Sequence, residues 1–153
     1  MVGYQTLCHV IDSDRILLKK ANRGVSIGKW NAPGGKIEGD ETPEQNAIRE
    51  VDEETGLLVK NLFYHGLINF HLGGKEETSS GVHLFSTKEF EGAIKPSDEG
   101  EVKWFPISRL PINEMWDDDN YWLDLMWKGR KFDADFYLNK DNTKVTRYSV
   151  RIN

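Results

Sequence analysis

The amino-acid sequence predicts an α+β fold, in which helices flank a mixed β-sheet. Three observations favour this fold. Strand-like segments recur along the chain, helix signals occur between them, and no internal repeat, linker or low-complexity run interrupts the pattern. At 153 residues the chain has an ordinary domain size that can bury a full core, so we expect residues 1–153 to form a single domain.

The composition indicates a soluble globular protein, because 38% of the residues are hydrophobic and 29% are charged. No apolar run approaches the length of a membrane span and no signal peptide precedes the first strand pattern, so we expect no membrane contact. The single cysteine, Cys8, is expected to be a buried thiol in a reducing cytoplasm. The net charge of −5 argues against broad nucleic-acid binding, but not against a polyphosphate bound through a metal ion.

The strand predictions rest on alternating apolar and polar residues bounded by turn residues. The first two strands form a hairpin around residues 12–14, and the last two form a C-terminal hairpin around residues 139–142. Gly66 predicts a bulge in the long central segment. The predicted strands cover residues 5–11, 15–20, 57–72, 82–87, 101–106, 131–138 and 144–152.

Polar and glycine-rich segments between these strands predict loops. Residues 23–29 form a glycine-punctuated loop or short strand, residues 73–81 a mobile polar loop, and residues 89–99 an acidic loop. A short helical turn is expected at residues 108–111, and a helix follows the acidic residues 117–119.

The clearest helix signal begins at Thr42. Its hydroxyl suits an N-cap, Pro43 suits the first helical position because its missing N–H is no loss there, and Gln45 completes a capping box. We expect the helix to run to about Thr55 and to stop at Gly56 in the left-handed conformation.

Three glutamates of this helix, Glu50, Glu53 and Glu54, are spaced so that they share one face. Like charges at this spacing destabilise a helix by roughly 0.2–0.5 kcal/mol per pair unless a cation neutralises them. Carboxylate oxygens suit Mg²⁺, so the cluster predicts a magnesium site, with Mn²⁺ as the other option. Arg49 lies one turn before Glu53 and can hold that carboxylate in place. From this spacing alone, a solvated acidic helix surface is the alternative.

The residues around this cluster follow the pattern G-x5-E-x7-R-E-U-x-E-E-x-G-U, in which U is apolar. This pattern is similar to the signature of the Nudix hydrolases, and every fixed position is present. The resemblance implies the Nudix fold, an α/β/α sandwich. It also implies hydrolysis of the pyrophosphate bond in a nucleoside diphosphate linked to a further group, assisted by a divalent metal. The matching residues are Gly35, Glu41, Arg49, Glu50, Val51, Glu53, Glu54, Gly56 and Leu57.

The Nudix resemblance also implies catalytic roles. Arg49 and Glu41 are expected to support the geometry of the metal and the loop. The general base is one of Glu53, Glu54 and Glu99, and the sequence leaves this choice open. The expected metal ligands are Gly34, Gly35, Glu50, Glu53, Glu54 and Glu99.

Residues 111–122 resemble the base pocket of the MutT-like members of this family, which hydrolyse oxidised purine nucleoside triphosphates such as 8-oxo-dGTP and so clear the nucleotide pool. The resemblance extends over most of the chain. It implies that Trp116 stacks on the purine while Asp118 and Asp119 meet its Watson–Crick edge. Two crowded aspartates are expected to share a proton, so that the pair can both accept and donate. The expected substrate-binding residues are Val25, Asn31, Lys36, Phe70, Trp116, Asp118 and Asp119.

Several features leave alternatives open. The pocket segment alone is also typical of an acidic helix N-cap beside core tryptophans. Val25 and Pro33 stand where the MutT-like members carry aromatic residues, which could narrow or shift the pocket.

ADP-ribose and dinucleoside polyphosphates are alternative substrates, and a non-catalytic nucleotide-binding module is disfavoured because the glutamates are retained. We expect a small nucleotide as partner, and a monomer and a homodimer are both open.

Overall fold

The secondary structure of the computed structural model follows the predicted pattern, with differences at the element ends. The structure describes residues 2–95, 98 and 100–153. Its α-helices are α1, Pro43–Thr55, and α2, Asp119–Trp127. Two short 3-10 turns, Ile107–Arg109 and Ile112–Glu114, replace the single helical turn predicted there. The strands are β1 Gly3–Asp12, β2 Arg15–Ala21, β3 Trp30–Asn31, β4 Gly34–Lys36, β5 Leu58–Lys60, β6 Phe63–His71, β7 Ser80–Thr87, β8 Glu89–Glu91, β9 Gly100–Pro106, β10 Phe132–Leu138 and β11 Val145–Ile152.

The main sheet runs in the order β11-β10-β6-β7-β1-β2-β3, with β4 also paired to β1 and β9 paired to β2. Strands β1 and β7 are parallel, as are β6 and β10. The hairpins β1–β2 and β10–β11 are antiparallel, and both were predicted. The sheet is therefore mixed, and the predicted α+β class is confirmed.

The two helices cover opposite faces of this sheet, because successive strand residues point to opposite sides. Leu17 of β2 packs in a cluster with Cys8 and with Val51 of α1. The next residue, Leu18, packs in a second cluster with Trp122 of α2. The predicted sandwich is confirmed, and the Cys8 thiol is free and fully buried as expected. In the described part of the chain, no helix has the length and apolarity to cross a membrane.

Helix α1 begins and ends as its sequence predicts. The Thr42 hydroxyl accepts a hydrogen bond of 3.1 Å from Gln45 N, and the Gln45 side chain accepts one of 2.9 Å from Thr42 N. At the other end, Gly56 has a φ of 85° and donates its N–H to the Asp52 carbonyl. Local chemistry alone therefore sets the limits of the helix that carries the acidic cluster.

The segments around β6 and β7 differ from the prediction in two places. Strand β7 begins at Ser80, inside the predicted loop. The predicted acidic loop contains strand β8, which pairs with β5. Phe90 of β8 contacts Trp104, and the two flanking glutamates are exposed. The predicted bulge at Gly66 is confirmed by a shift in the β6–β7 register.

Candidate active site

The acidic face of α1 lies against β4 and the end of β2. Glu54 is the most enclosed carboxylate there, with a side chain that is 2% exposed. Its Oε2 accepts a hydrogen bond of 3.1 Å from Gly34 N, and its Oε1 lies 2.5 Å from Lys19 Nζ. A helix side chain, a strand backbone and a strand side chain therefore meet at one carboxylate.

The two glycines before α1 permit this close approach. A Cβ on Gly34 would lie 1.9 Å from the carbonyl oxygen of Thr6 in β1. A Cβ on Gly35 would lie 2.6 to 2.8 Å from the carboxyl atoms of Glu50. Real Cβ atoms do not come this close, so Gly34, which meets backbone, requires glycine, whereas a side chain at position 35 would displace the Glu50 carboxylate. The Glu50 carboxylate therefore rests directly against Gly35.

Arg49 neutralises much of the remaining charge on this face. Its Nε lies 2.6 Å from Glu41 Oε2, and its Nη1 lies 3.0 Å from Glu53 Oε2 and 3.2 Å from Glu50 Oε1. The hydrogen bond from Arg49 is the largest cause that lowers the pKa of Glu41 to about 2. Glu41 also accepts from Glu38 N at 3.0 Å, so it anchors the loop before α1. The predicted Arg49–Glu53 pairing is confirmed.

The electrostatics around Glu50 and Glu54 favour a bound cation. Burial raises the pKa of Glu54 to about 8, although Lys19 opposes this shift. A hydrogen bond and charge repulsion from the neighbouring Glu50 raise that pKa further. Two crowded carboxyls, one of them buried, are stabilised when a cation replaces the shared proton.

A separate cavity of about 140 Å³ opens between the sheet and the segment that precedes α2. Gln5 and Leu7 of β1 form part of its floor, and Trp122 of α2 closes one side. The predicted substrate-binding residues that line this cavity are Val25, Asn31, Phe70, Trp116, Asp118 and Asp119. The structure therefore brings together residues from segments that lie far apart in the sequence.

Asp118 and Asp119 are buried in this cavity, at 2% and 4% exposure. Asp118 Oδ2 accepts a hydrogen bond of 2.7 Å from Trp122 Nε1, whereas Asp118 Oδ1 and Asp119 Oδ2 have no partner among the described residues. Burial raises the pKa of Asp118 to about 6. Burial and the adjacent Asp118 charge raise the pKa of Asp119 well above its usual range. The alternative of an N-cap is not supported, because the Asp118 side chain makes no capping hydrogen bond to α2.

The ring of Trp116 is held in place by the loop between β2 and β3. Trp116 Nε1 donates a hydrogen bond of 3.0 Å to Ser26 Oγ, and Lys29 Nζ lies 5.5 Å from the ring centroid. The loop itself is closed by a backbone hydrogen bond from Ala21 N to Lys29 O. On the same loop, the Val25 side chain is 69% exposed at the cavity, so the wall on this side is open.

Residues 4–126 match the family model described as the NUDIX domain. The chain belongs to the Nudix hydrolase family. Nudix hydrolases generally use divalent metal ions, which agrees with the crowded carboxyls on α1.

Two relatives and one solved structure show how far the similarity extends. The oxidized purine nucleoside triphosphate hydrolase of Mus musculus is 37% identical over 146 residues, which cover 95% of this chain and 92% of the relative. The protein of the same name from Danio rerio is 42% identical over 127 residues, covering 83% and 81%. The crystal structure of a mutator MutT protein from Bacillus halodurans superimposes with a TM-score of 0.85 and 27% identity over 97% of both chains.

In this Nudix chain, the acidic cluster fits a divalent cation at two of the predicted carboxylate ligands. Glu50 and Glu54 lie together against the Gly34–Gly35 backbone. Glu53 is 51% exposed and is held aside by Arg49. Within the described ranges, no three aspartate, glutamate, histidine or cysteine side chains are already gathered as a metal site. Glu99 lies outside the described residues, so the full ligand set stays a prediction.

Lys36 is the one predicted substrate-binding residue that does not line the cavity. Lys36 is exposed in β4, away from the cavity lining, and its carbonyl accepts from Asn46 Nδ2 at 2.7 Å. Its role in substrate binding stays a prediction.

Sequence reasoning missed Lys19, Ser26 and Lys29. For Lys19, the signal was a charged residue at the end of an apolar strand run, whereas no local pattern distinguishes the other two.

Proposed function

We propose that this Nudix hydrolase cleaves oxidised purine nucleoside triphosphates, such as 8-oxo-dGTP, to the monophosphate and pyrophosphate. The observation that carries the proposal is the buried aspartate pair, which lines a cavity beside Trp116 and has two carboxyl oxygens without partners among the described residues. Such oxygens are unfavourable until a bound ligand or water supplies donors. The names of the mouse and zebrafish relatives support the same substrate class.

In the proposed complex, the cavity binds the purine. The ring of Trp116 stacks on the base, and Ser26 keeps the ring from rotating. Because the pKa values of Asp118 and Asp119 are both raised, one carboxyl can carry a proton and donate to a purine carbonyl while the other accepts from N–H groups. Asn31 and Phe70 complete the walls of the cavity.

The acidic cluster is proposed to act on the triphosphate. Glu50 and Glu54 would hold Mg²⁺, or Mn²⁺, together with Glu53 and a carbonyl of the glycine turn. The metal would supply charge neutralisation at the phosphate oxygens and a more acidic water. Arg49 fixes the Glu53 carboxylate, and the general base is one of Glu53, Glu54 and Glu99. Water adds across the anhydride between the α- and β-phosphates, so the products are the monophosphate and pyrophosphate.

We also infer that residues 1–153 work as one domain. Strands β10 and β11 lie beyond the matched residues 4–126, yet β10 pairs with β6 in the main sheet. Phe132 and Phe136 of β10 are fully buried in the cluster that contains Trp122. The free, buried Cys8 thiol fits the reducing cytoplasm as the proposed compartment.

The test is a product-release assay over a nucleotide panel in Mg²⁺. The panel contains 8-oxo-dGTP, dGTP, ADP-ribose and a dinucleoside polyphosphate, and the assay separates pyrophosphate from phosphate. We expect the highest kcat/KM for 8-oxo-dGTP, with pyrophosphate as the product. A higher kcat/KM for ADP-ribose, or release of single phosphates from 8-oxo-dGTP, would replace the proposed substrate class with another.

A further inference from the structure

Lys19 is a lysine largely enclosed at the edge of the acidic cluster. It follows the fully buried run Ile16–Leu18 in β2, and its own side chain is 19% exposed. Its Nζ lies 2.5 Å from Glu54 Oε1. Lysines are almost never enclosed unless their charge is paired, so this position is built around the pairing with Glu54.

The strand register links the strand of Lys19 to the base cavity. Its Cα lies opposite that of Asn31 in the β2–β3 pairing, and Asn31 lines the cavity. The neighbouring Lys20 points to the other face, where its Nζ lies 5.9 Å from the ring centroid of the core residue Trp30. Lys19 therefore lies beside the proposed metal site on the α1 side of the sheet, in a strand whose neighbour β3 carries the cavity residue Asn31.

A divalent cation at Glu50 and Glu54 changes the surroundings of Lys19. The cation takes over the neutralisation of Glu54 and repels an ammonium group 2.5 Å from the same carboxylate. Lysine carries its charge on a flexible four-carbon stem, so the ammonium can move without a change in the strand. The polyphosphate that binds to the cation supplies new anionic oxygens within reach of that stem.

We propose that Lys19 is a phosphate-positioning residue that exchanges partners. It pairs with the Glu54 carboxylate when no metal is bound, and with a phosphate oxygen of the nucleotide when a divalent cation occupies that carboxylate. The proposal rests on the proposed function only in placing a polyphosphate at Glu50 and Glu54, and it is independent of which base is bound. The competing role is that of a fixed counter-ion, which stays on Glu54 in every state.

The first experiment measures binding of inorganic tripolyphosphate by calorimetry in the presence of Mn²⁺. Lys19→Met should weaken this binding roughly tenfold or more, because a charged hydrogen bond to phosphate is lost. Lys19→Arg should recover most of the affinity. Lys20→Met is the matched control on the opposite face and should leave the affinity unchanged. If Lys19→Met does not fold, Lys19→Gln, which can still hydrogen-bond to Glu54 without charge, takes its place with the same expectation.

The second experiment separates the two roles of Lys19 by measuring Mn²⁺ binding without phosphate, from the electron paramagnetic resonance signal of free Mn²⁺. The exchange of partners predicts that Lys19→Met keeps its Mn²⁺ affinity within about threefold while losing tripolyphosphate affinity. A lysine that only holds Glu54 in the orientation needed by the metal predicts equal losses of both affinities. Equal losses, or an unchanged tripolyphosphate affinity, would overturn the proposal.

A third measurement distinguishes failure of this proposal from failure of the proposed substrate. The nucleoside 8-oxo-deoxyguanosine carries no phosphate, so its affinity should be the same in the wild type and in Lys19→Met. If the nucleotide panel shows no preference for 8-oxo-dGTP, the tripolyphosphate result still decides the role of Lys19. If the panel shows that preference and tripolyphosphate binding is unchanged in Lys19→Met, the role of Lys19 alone is wrong.

Discussion

The acidic face of α1 and the base cavity use the same functional group in opposite surroundings. Arg49 of α1 pairs with Glu53 on the same helix and with Glu41 in the preceding loop, and its hydrogen bond is the largest cause that lowers the pKa of Glu41 to about 2. In the cavity, burial raises the pKa of Asp118 to about 6, and Asp119 keeps one oxygen without a partner. In the first region arginine and lysine side chains pair with the carboxylates, including the buried Glu54, whereas in the second no hydrogen bond or ion pair to a cationic side chain offsets the desolvation of Asp118 and Asp119 among the described residues.

This difference indicates a division of labour. The Arg49-paired carboxylates are kept anionic and partly solvated, and the buried Glu54 is crowded by Glu50 and paired with Lys19, which suits metal binding and a charge-dependent reaction. The cavity carboxyls are dry and incompletely hydrogen-bonded, which suits the recognition of a base by its donors and acceptors. Changes on α1 should therefore alter rate, and changes in the cavity should alter affinity and preference.

The largest effect is expected for Glu53→Gln. This substitution neutralises a carboxylate proposed as a metal ligand while keeping the shape of the side chain, so kcat in Mg²⁺ should fall on the order of 10²-fold or more. Because Glu53 is 51% exposed, the melting temperature should change little. Asp52→Asn, on an exposed face of the same helix, is the matched control. A near wild-type kcat in Glu53→Gln would remove Glu53 from the metal site.

Trp116→Ala tests the cavity through binding rather than rate. Loss of a base–aromatic stack is worth roughly 1–3 kcal/mol, so KM for 8-oxo-dGTP should rise by about 5- to 150-fold with a smaller change in kcat. Trp116→Phe keeps an aromatic face but loses the hydrogen bond to Ser26, so its KM should lie between those of the wild type and Trp116→Ala. An unchanged KM for every purine nucleotide would make Trp116 a packing residue.

Asp119→Asn tests whether the cavity reads the base. The substitution replaces an ionisable acceptor with a fixed amide, so kcat/KM for 8-oxo-dGTP should fall roughly tenfold or more relative to other nucleotides. Asp117→Asn is the neighbouring control, since Asp117 Oδ2 instead accepts from Val145 N at 2.8 Å in the terminal hairpin. Equal losses on all substrates in Asp119→Asn would contradict base reading.

The smallest effect concerns the pH dependence of stability. The pKa of Asp118 is raised from 3.8 to about 6 on folding, so the folded state holds its proton to a higher pH than the unfolded state. Its contribution to the free energy of unfolding is therefore fully present below pH 3.8 and is lost as the pH rises to about 6. Between these values the melting temperature of the wild type should fall relative to that of Asp118→Asn. A constant difference would show that Asp118 titrates normally. Asp141→Asn, on the exposed terminal turn, is the control.

The two regions also differ in how much of them could be predicted. The caps of α1 at Thr42 and Gly56 and the shared face of Glu50, Glu53 and Glu54 follow from spacing within one helix. The strand hairpins were likewise predictable, because alternation and turn residues are local. Strand β8 was not predicted because its two glutamates are typical of a polar loop. The segment is a strand because it pairs with β5, which lies elsewhere in the sequence.

The sequence by itself determined the helix, its acidic face and the family signature, since each depends on residues within a few turns of one another. Tertiary structure decided which carboxylates are buried and what they touch. Trp116 reaches Ser26 across 90 residues, and Lys19 of strand β2 reaches Glu54 of helix α1. Desolvation and pairing across such separations depend on how the sheet brings distant segments together, and no local pattern encodes them.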